Sequence, residues 1–198
     1  MKGLLDKVKI SDRPREHPTH RIKTIDCKTL QVVSHEESVP YLTLSYVWGS
    51  PEQSSDSTEG RFPQTIKDAI SVTRRLGYRH LWVDRYCIDQ NATQEKADQI
   101  GQMDQIYRYA DACIVAAAGD GPHYGLPGVS RSRPTDLEPL PSWDSDNDAQ
   151  IKVVYRARDA WRPILQSKWA SRGWTFQELL FSRVRIFFTD TEFIVDAG

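Results

Sequence analysis

An α/β domain built on a mostly parallel sheet is the fold class this sequence predicts, and three observations carry that reading. Strand-length apolar runs, "YLTLSYVWG", "HLWVD" and "ACIVAAAG", alternate with stretches of helical period. The last of these runs is continuously apolar, the mark of a strand covered on both faces. Polar groups gather where the runs end, at 45–50, at 84–90 and from Gly119 onward. Strands separated by helices join through right-handed crossovers into parallel sheets, which bind ligands beyond the C-terminal ends of their strands.

Residues 1–19 are polar and read as an N-terminal extension, with one domain over 20–198. "HRIKTIDCKTLQVV" alternates and is split by a polar "DCKT", which predicts a β-hairpin. "YLTLSYVWGS" is a short strand that ends at Gly49, and "PEQSSDSTEGRFP" is a loop by composition. In "QTIKDAISVTRRLG", Ile66, Ala69, Ile70, Thr73 and Leu76 fall on one helical face and Gly77 stops the helix. A strand over Leu81 to Asp84 follows, then a helix on which Ala97, Ile100, Met103, Ile106, Tyr107 and Ala110 repeat, with Asn91 and Gln94 spaced as a capping box.

After "ACIVAAAG" the composition shifts to Pro, Gly, Ser and Asp over 119–159, an insertion or long loop with a short strand at "IKVVY". A helix over Trp169 to Leu180, a strand "RVRIFF" and a last strand "EFIVD" complete the domain. The apolar ending "TEFIVDAG" suggests a domain cut from a longer protein.

Charge excludes little and favours little. Lys and Arg number 26 against 27 Asp and Glu, a net −1 that supplies no electrostatic reason to expect nucleic acid or an anionic membrane. No stretch of about 18 uninterrupted apolar residues occurs, so membrane insertion is not expected. Three cysteines, Cys27, Cys87 and Cys113, suit a reducing compartment, hence a cytoplasmic protein.

Among candidate reactive groups, His and Cys stand singly, with no pair at zinc-ligand spacing, so no metal is expected. Cys87 lacks a base: His80 lies about 23 Å away along extended chain, so a structural thiol is the simpler reading. "GDGPHYG" lacks the spacing and the following helix of a phosphate loop. Asp84 and Asp89 flank "RYCI" at a strand end, where capping or bonding to backbone amides is the simpler role. Trp48, Trp82 and Trp174 read as core.

Glu178 is harder to assign. It sits four residues after Trp174 in "SRGWTFQELLFSRVRIFF", so indole and carboxylate share a helix face. Burial beside an aromatic wall would raise its pKa unless Arg172, Arg183 or Arg185 offset it. Spacing alone leaves a functional acid and an ordinary surface salt bridge equally open.

"YLTLSYVWG", "LWVDRYCIDQ", "QMDQIYRYADACIVAAAG" and "SRGWTFQELLFSRVRIFF", in this order, resemble the heterokaryon incompatibility (HET) domains of filamentous fungi. Arg85-Tyr86 departs from the small or apolar residues more usual there, and 119–159 is not diagnostic. HET domains are in turn similar to TIR domains, flavodoxin-like modules of innate immunity and programmed cell death. In TIR domains that cleave NAD, a glutamate follows four residues after a tryptophan or similar residue, and "WTFQEL" repeats that pattern with Trp174, Glu178 and Leu179.

The resemblance implies a flavodoxin-like, TIR-like sheet and an NAD glycohydrolase with Glu178 as catalytic carboxylate. Strand-end position then places Ser45, Tyr46 and Trp48 along that nucleotide and Asp84 and Arg85 at the pocket edge, with Trp174 beside the acid also expected to bind the substrate. NAD would be substrate rather than cofactor. Self-association as a nonenzymatic adaptor, and a nucleotide-binding sensor that does not cleave, are the competing implications.

Overall fold

The computed structural model describes residues 21–49, 62–91, 93–133 and 161–197, except the side chains of 93–95. The N-terminal extension, the loop at 50–61 and the strand expected at "IKVVY" lie outside the described residues. Among the described residues seven strands form one sheet in the order β2-β1-β4-β3-β5-β6-β7. They are β1 (Lys23–Asp26), β2 (Gln31–Ser34), β3 (Tyr41–Ser45), β4 (His80–Trp82), β5 (Ala112–Ala116), β6 (Val184–Phe188) and β7 (Phe193–Ala197).

The sheet is mixed rather than mostly parallel. β4-β3-β5-β6 run parallel, whereas β1 pairs antiparallel with both β2 and β4, and β7 pairs antiparallel with β6. Short connections explain the two hairpins, since a tight turn can only return the chain antiparallel. In the first, Asp26 accepts hydrogen bonds from the backbone N–H of Lys28 (2.8 Å) and Thr29 (3.3 Å), and Leu30 takes φ 61° to close the turn. In the second, the Thr189 N–H donates to the Glu192 carbonyl at 3.0 Å.

The helices are α1 (Gln64–Arg75), α2 (Asp84–Cys87), α3 (Thr93–Gly101), α4 (Met103–Tyr109), α5 (Trp161–Leu165) and α6 (Thr175–Phe181). On α1 the expected stripe of Ile66, Ala69, Ile70 and Thr73 is buried. Gly77 ends that helix at φ +89°, its N–H on the Arg74 carbonyl and that of Tyr78 on the Thr73 carbonyl, the paired bonds of a Schellman turn. Every residue of β3 and β5 is buried, as the continuous apolar run on β5 requires. Leu42, Leu44, Trp82, Ile114 and Phe187 are central to the core.

Three expected boundaries move. The helix expected from about 93 to 110 is two helices, because Gln102 leaves helical geometry at φ −112°, ψ 14° directly after Gly101. The strand expected to reach Asp84 stops at Trp82, and Asp84 opens a helical turn instead. The helix expected from Trp169 starts only at Thr175, with 169–174 folded as turns and Trp174 as the N-cap.

The first part of the expected insertion, 119–133, is tied down on α1. Buried Asp68 accepts from the Leu126 N–H (2.7 Å), the Ser130 hydroxyl (2.5 Å) and the Gln64 amide (2.7 Å). Gly125, at φ +82°, donates its N–H to Thr65 Oγ1. Among the described residues no helix is long and apolar enough to cross a membrane.

Candidate functional site

Strand order reverses between β3 and β5, and polar side chains converge beyond the C-terminal ends of β3 and β4. Ser45 closes β3 and Asp84 follows β4 by two residues. α6, packed on α4, brings Glu178 to Ser45, from 133 residues further along the chain, and into the same cavity as Asp84. A cavity of about 230 Å³ opens there, with Asp84, Glu178, Arg172 and Lys96 as its charged residues and Trp48 and Trp174 among its apolar walls.

Glu178 is only 2% exposed. Burial pushes its carboxyl above the usual range, opposed by the Ser45 hydroxyl, the Arg172 guanidinium and the Tyr107 hydroxyl. Ser45 Oγ donates to Glu178 Oε2, and it accepts from Trp169 Nε1 at 2.6 Å. The buried Tyr107 hydroxyl faces the same carboxyl without closing a hydrogen bond of good geometry, yet still favours its charged form. Arg172 is held by donating to the Tyr46 carbonyl.

Asp84 is the second buried acid, 9% exposed. Its two carboxylate oxygens accept from Trp48 Nε1 at 3.1 and 2.9 Å, and Oδ1 also accepts from the Arg85 N–H at 2.7 Å. Burial, with the Glu178 carboxylate second, raises its pKa to about 7 against those donors and Arg172. A charged Glu178 in the same cavity makes it harder for Asp84 to ionise.

Of the residues anticipated from sequence, Trp48, Asp84, Trp174 and Glu178 line the cavity. Trp174 stands at its edge, 52% exposed, rather than in the core. Ser45 and Tyr46 stand behind the wall: Ser45 contacts Glu178, and the Tyr46 side chain is buried while its carbonyl takes the Arg172 bond. Arg85 lies over the Trp48 ring at 5.7 Å. Trp48 therefore both donates to Asp84 and stacks under Arg85. Asp89 is exposed and accepts from the Asn91 N–H at 3.0 Å, a bond that closes a turn.

Lys96, Gln90, Tyr107 and Trp169 escaped sequence reasoning. Lys96 carries no motif, Gln90 closes "LWVDRYCIDQ" without being singled out, Tyr107 reads as a helix-face residue, and Trp169 drew notice only as the start of an expected helix. The three thiols are buried, and burial pushes each up to about 12, so none is an activated nucleophile. Among the described residues no group of three or more His, Cys, Asp and Glu is placed to hold a metal.

Comparison with known proteins fits this arrangement to one family. The sequence model of the heterokaryon incompatibility protein (HET) family matches residues 41–178, a span that contains both acids. The chain is 30% identical over 149 residues to the vegetative incompatibility protein HET-E-1 of Podospora anserina, covering 71% of this chain and 9% of that protein. It is 29% identical over 93 residues to heterokaryon incompatibility protein 6, OR allele, of Neurospora crassa, covering 38% of this chain and 14% of that protein. The chain thus spans a small part of the length of these relatives. No solved structure matches.

Proposed function

The chain belongs to the heterokaryon incompatibility (HET) family, and from that premise we propose that it is a cytoplasmic cell-death effector domain that cleaves the bond between nicotinamide and ribose in NAD. The observation that carries this reading is Glu178, a buried carboxylate on the wall of a cavity at the strand ends, with Arg172 and Trp174 on the same wall. The order of the parallel strands supports it too. Numbered along the chain, β3, β4, β5 and β6 lie as second, first, third and fourth, the flavodoxin-like and TIR-like arrangement, with the ligand site where the order reverses.

Cleavage breaks the ribose C1′–N bond, and the bonding pair leaves on the nicotinamide nitrogen. The ribose left behind is oxocarbenium-like, and an ionised Glu178 stabilises its charge. Water then adds to C1′ and gives up a proton. Asp84, with a pKa of about 7, is matched to accept it near neutral pH. At about 230 Å³ the cavity is smaller than the ~300–1,000 Å³ of drug-sized sites, so it takes the nicotinamide–ribose end of a dinucleotide. Lys96 on the wall is the cation available to the phosphates beyond.

A second reading rests on a different observation. Phe176 and Leu180 on α6 are 69% and 62% exposed and one helical turn apart, an apolar strip suited to self-association without chemistry.

Incubating purified chain with NAD at high protein concentration, with and without a crowding agent, and separating nicotinamide by chromatography distinguishes the two. Release of nicotinamide, reduced at least about a hundredfold in Glu178→Gln, is expected. Intact NAD throughout, from a chain that still kills fungal cells when expressed, overturns the enzymatic reading. Full killing by Glu178→Gln would point to self-association.

A further inference from the structure

Ser45 was expected along the nucleotide, yet it stands behind Glu178, and its hydrogen bonds have a forced direction. An indole N–H can only donate, so the 2.6 Å contact from Trp169 Nε1 makes Ser45 Oγ an acceptor there. The one hydroxyl proton of Ser45 then goes to Glu178 Oε2, which must be an unprotonated oxygen to receive it. All three groups are buried, so water does not compete for these bonds. The three residues come from β3, from the turns that follow α5, and from α6.

We propose that Ser45 and Trp169 are positioning residues for Glu178: the indole holds the serine hydroxyl in one orientation, and that hydroxyl fixes one carboxyl oxygen as an acceptor and so favours the ionised form. The other carboxylate oxygen is thereby left for the substrate. Linked donors of this kind strengthen one another where the surroundings are of low polarity. The proposal rests on the reading of Glu178 as the reactive acid, but its first measurable consequence is the ionisation of that acid.

The groups facing Glu178 are known from every element around it. Asp84 stands at the start of α2, Tyr107 on α4, Cys113 on β5 and Arg172 before α6, while Lys96 of α3 lines the same cavity. Arg172 and Tyr107 favour the ionised form, as Ser45 does, whereas burial opposes it. Removing the serine donor leaves the others in place, so the Glu178 carboxyl must titrate at higher pH.

The test uses the full chain and the variants Ser45→Ala, Ser45→Thr and Trp169→Phe, with two readouts. One is the titration of the Glu178 side-chain carboxyl, followed by NMR of ¹³C-labelled glutamate and assigned by its loss in Glu178→Gln. The other is NAD turnover against pH. Ser45→Ala is expected to move the carboxyl midpoint and the acid limb of kcat upward by about one pH unit. It should lower kcat about tenfold or more while KM stays within about twofold. Ser45→Thr, which keeps the hydroxyl, should recover most of both.

Trp169→Phe keeps a ring against Phe187 and should move both in the same direction. Should that variant fail to fold, the smaller change at Ser45 decides. A folded Ser45→Ala chain with an unmoved carboxyl midpoint overturns the proposal. If wild-type chain leaves NAD intact, the catalytic reading fails, and the carboxyl midpoint still decides: a rise supports the relay and no rise overturns it.

Discussion

Replacing Asp84 by Asn should stabilise the fold above neutral pH while impairing turnover, and the size of the gain follows from the site. Burial and the neighbouring Glu178 carboxylate hold Asp84 near 7 against an ordinary value of 3.8. A carboxyl raised in the folded state binds its proton more tightly there than in the unfolded chain. Wild-type stability relative to Asp84→Asn must therefore fall as pH rises from about 4 to about 7, and stay low above that. At about 1.4 kcal/mol for each tenfold in proton affinity, the relative loss is about 4 kcal/mol.

The amide keeps one acceptor oxygen for Trp48 Nε1 or the Arg85 N–H and loses the other. That cost, about 1 kcal/mol, does not vary with pH. Urea unfolding of both chains at intervals from pH 4 to pH 8 isolates the pH-dependent part as the difference between them. A flat difference, or one in which the wild type gains on the variant as pH rises, would refute the assignment of Asp84 as a buried, proton-retaining acid.

Two further outcomes test the fold beyond the lining of the cavity. Gly125→Ala should cost about 1–2 kcal/mol by urea unfolding, since Gly125 sits at φ +82° and a Cβ would meet Asp68 Oδ2 and Ser130 Oγ at 2.9 Å; equal stability would show that the 119–133 loop is not held as described. Cys27, Cys87 and Cys113 should all resist a disulfide reagent in native chain at pH 8 and all react in urea, because burial pushes each thiol up to about 12; rapid native labelling of Cys87 would reopen it as a nucleophile.

What could be read from the sequence was whatever a periodicity encodes locally. The α1 stripe, the first hairpin and the apolar β5 are each set by residues within one element, and each lies where the pattern puts it. Breaks were harder, because a single backbone departure at Gln102 leaves the apolar repeat from Ala97 to Ala110 intact. Strand direction at the sheet edges was harder still, being a property of connections rather than of strands.

In the site, Glu178 and Asp84 drew notice as acids beside apolar runs. Ser45 and Tyr46 were assigned a wall position from their strand end alone. A strand end says which residues are near a cavity, but not which of them another side chain covers. Trp169 could not be picked out at all, since its partner lies 124 residues away.

Geometrically, the non-helical Gln102 divides what would be one rod into two segments. The first, α3, bears Lys96 and Ile100 on the cavity wall, and the second, α4, bears Tyr107 against Glu178. The outer wall of the cavity and the backing of the acid are therefore set by separate stretches of hydrogen-bonded backbone rather than by one.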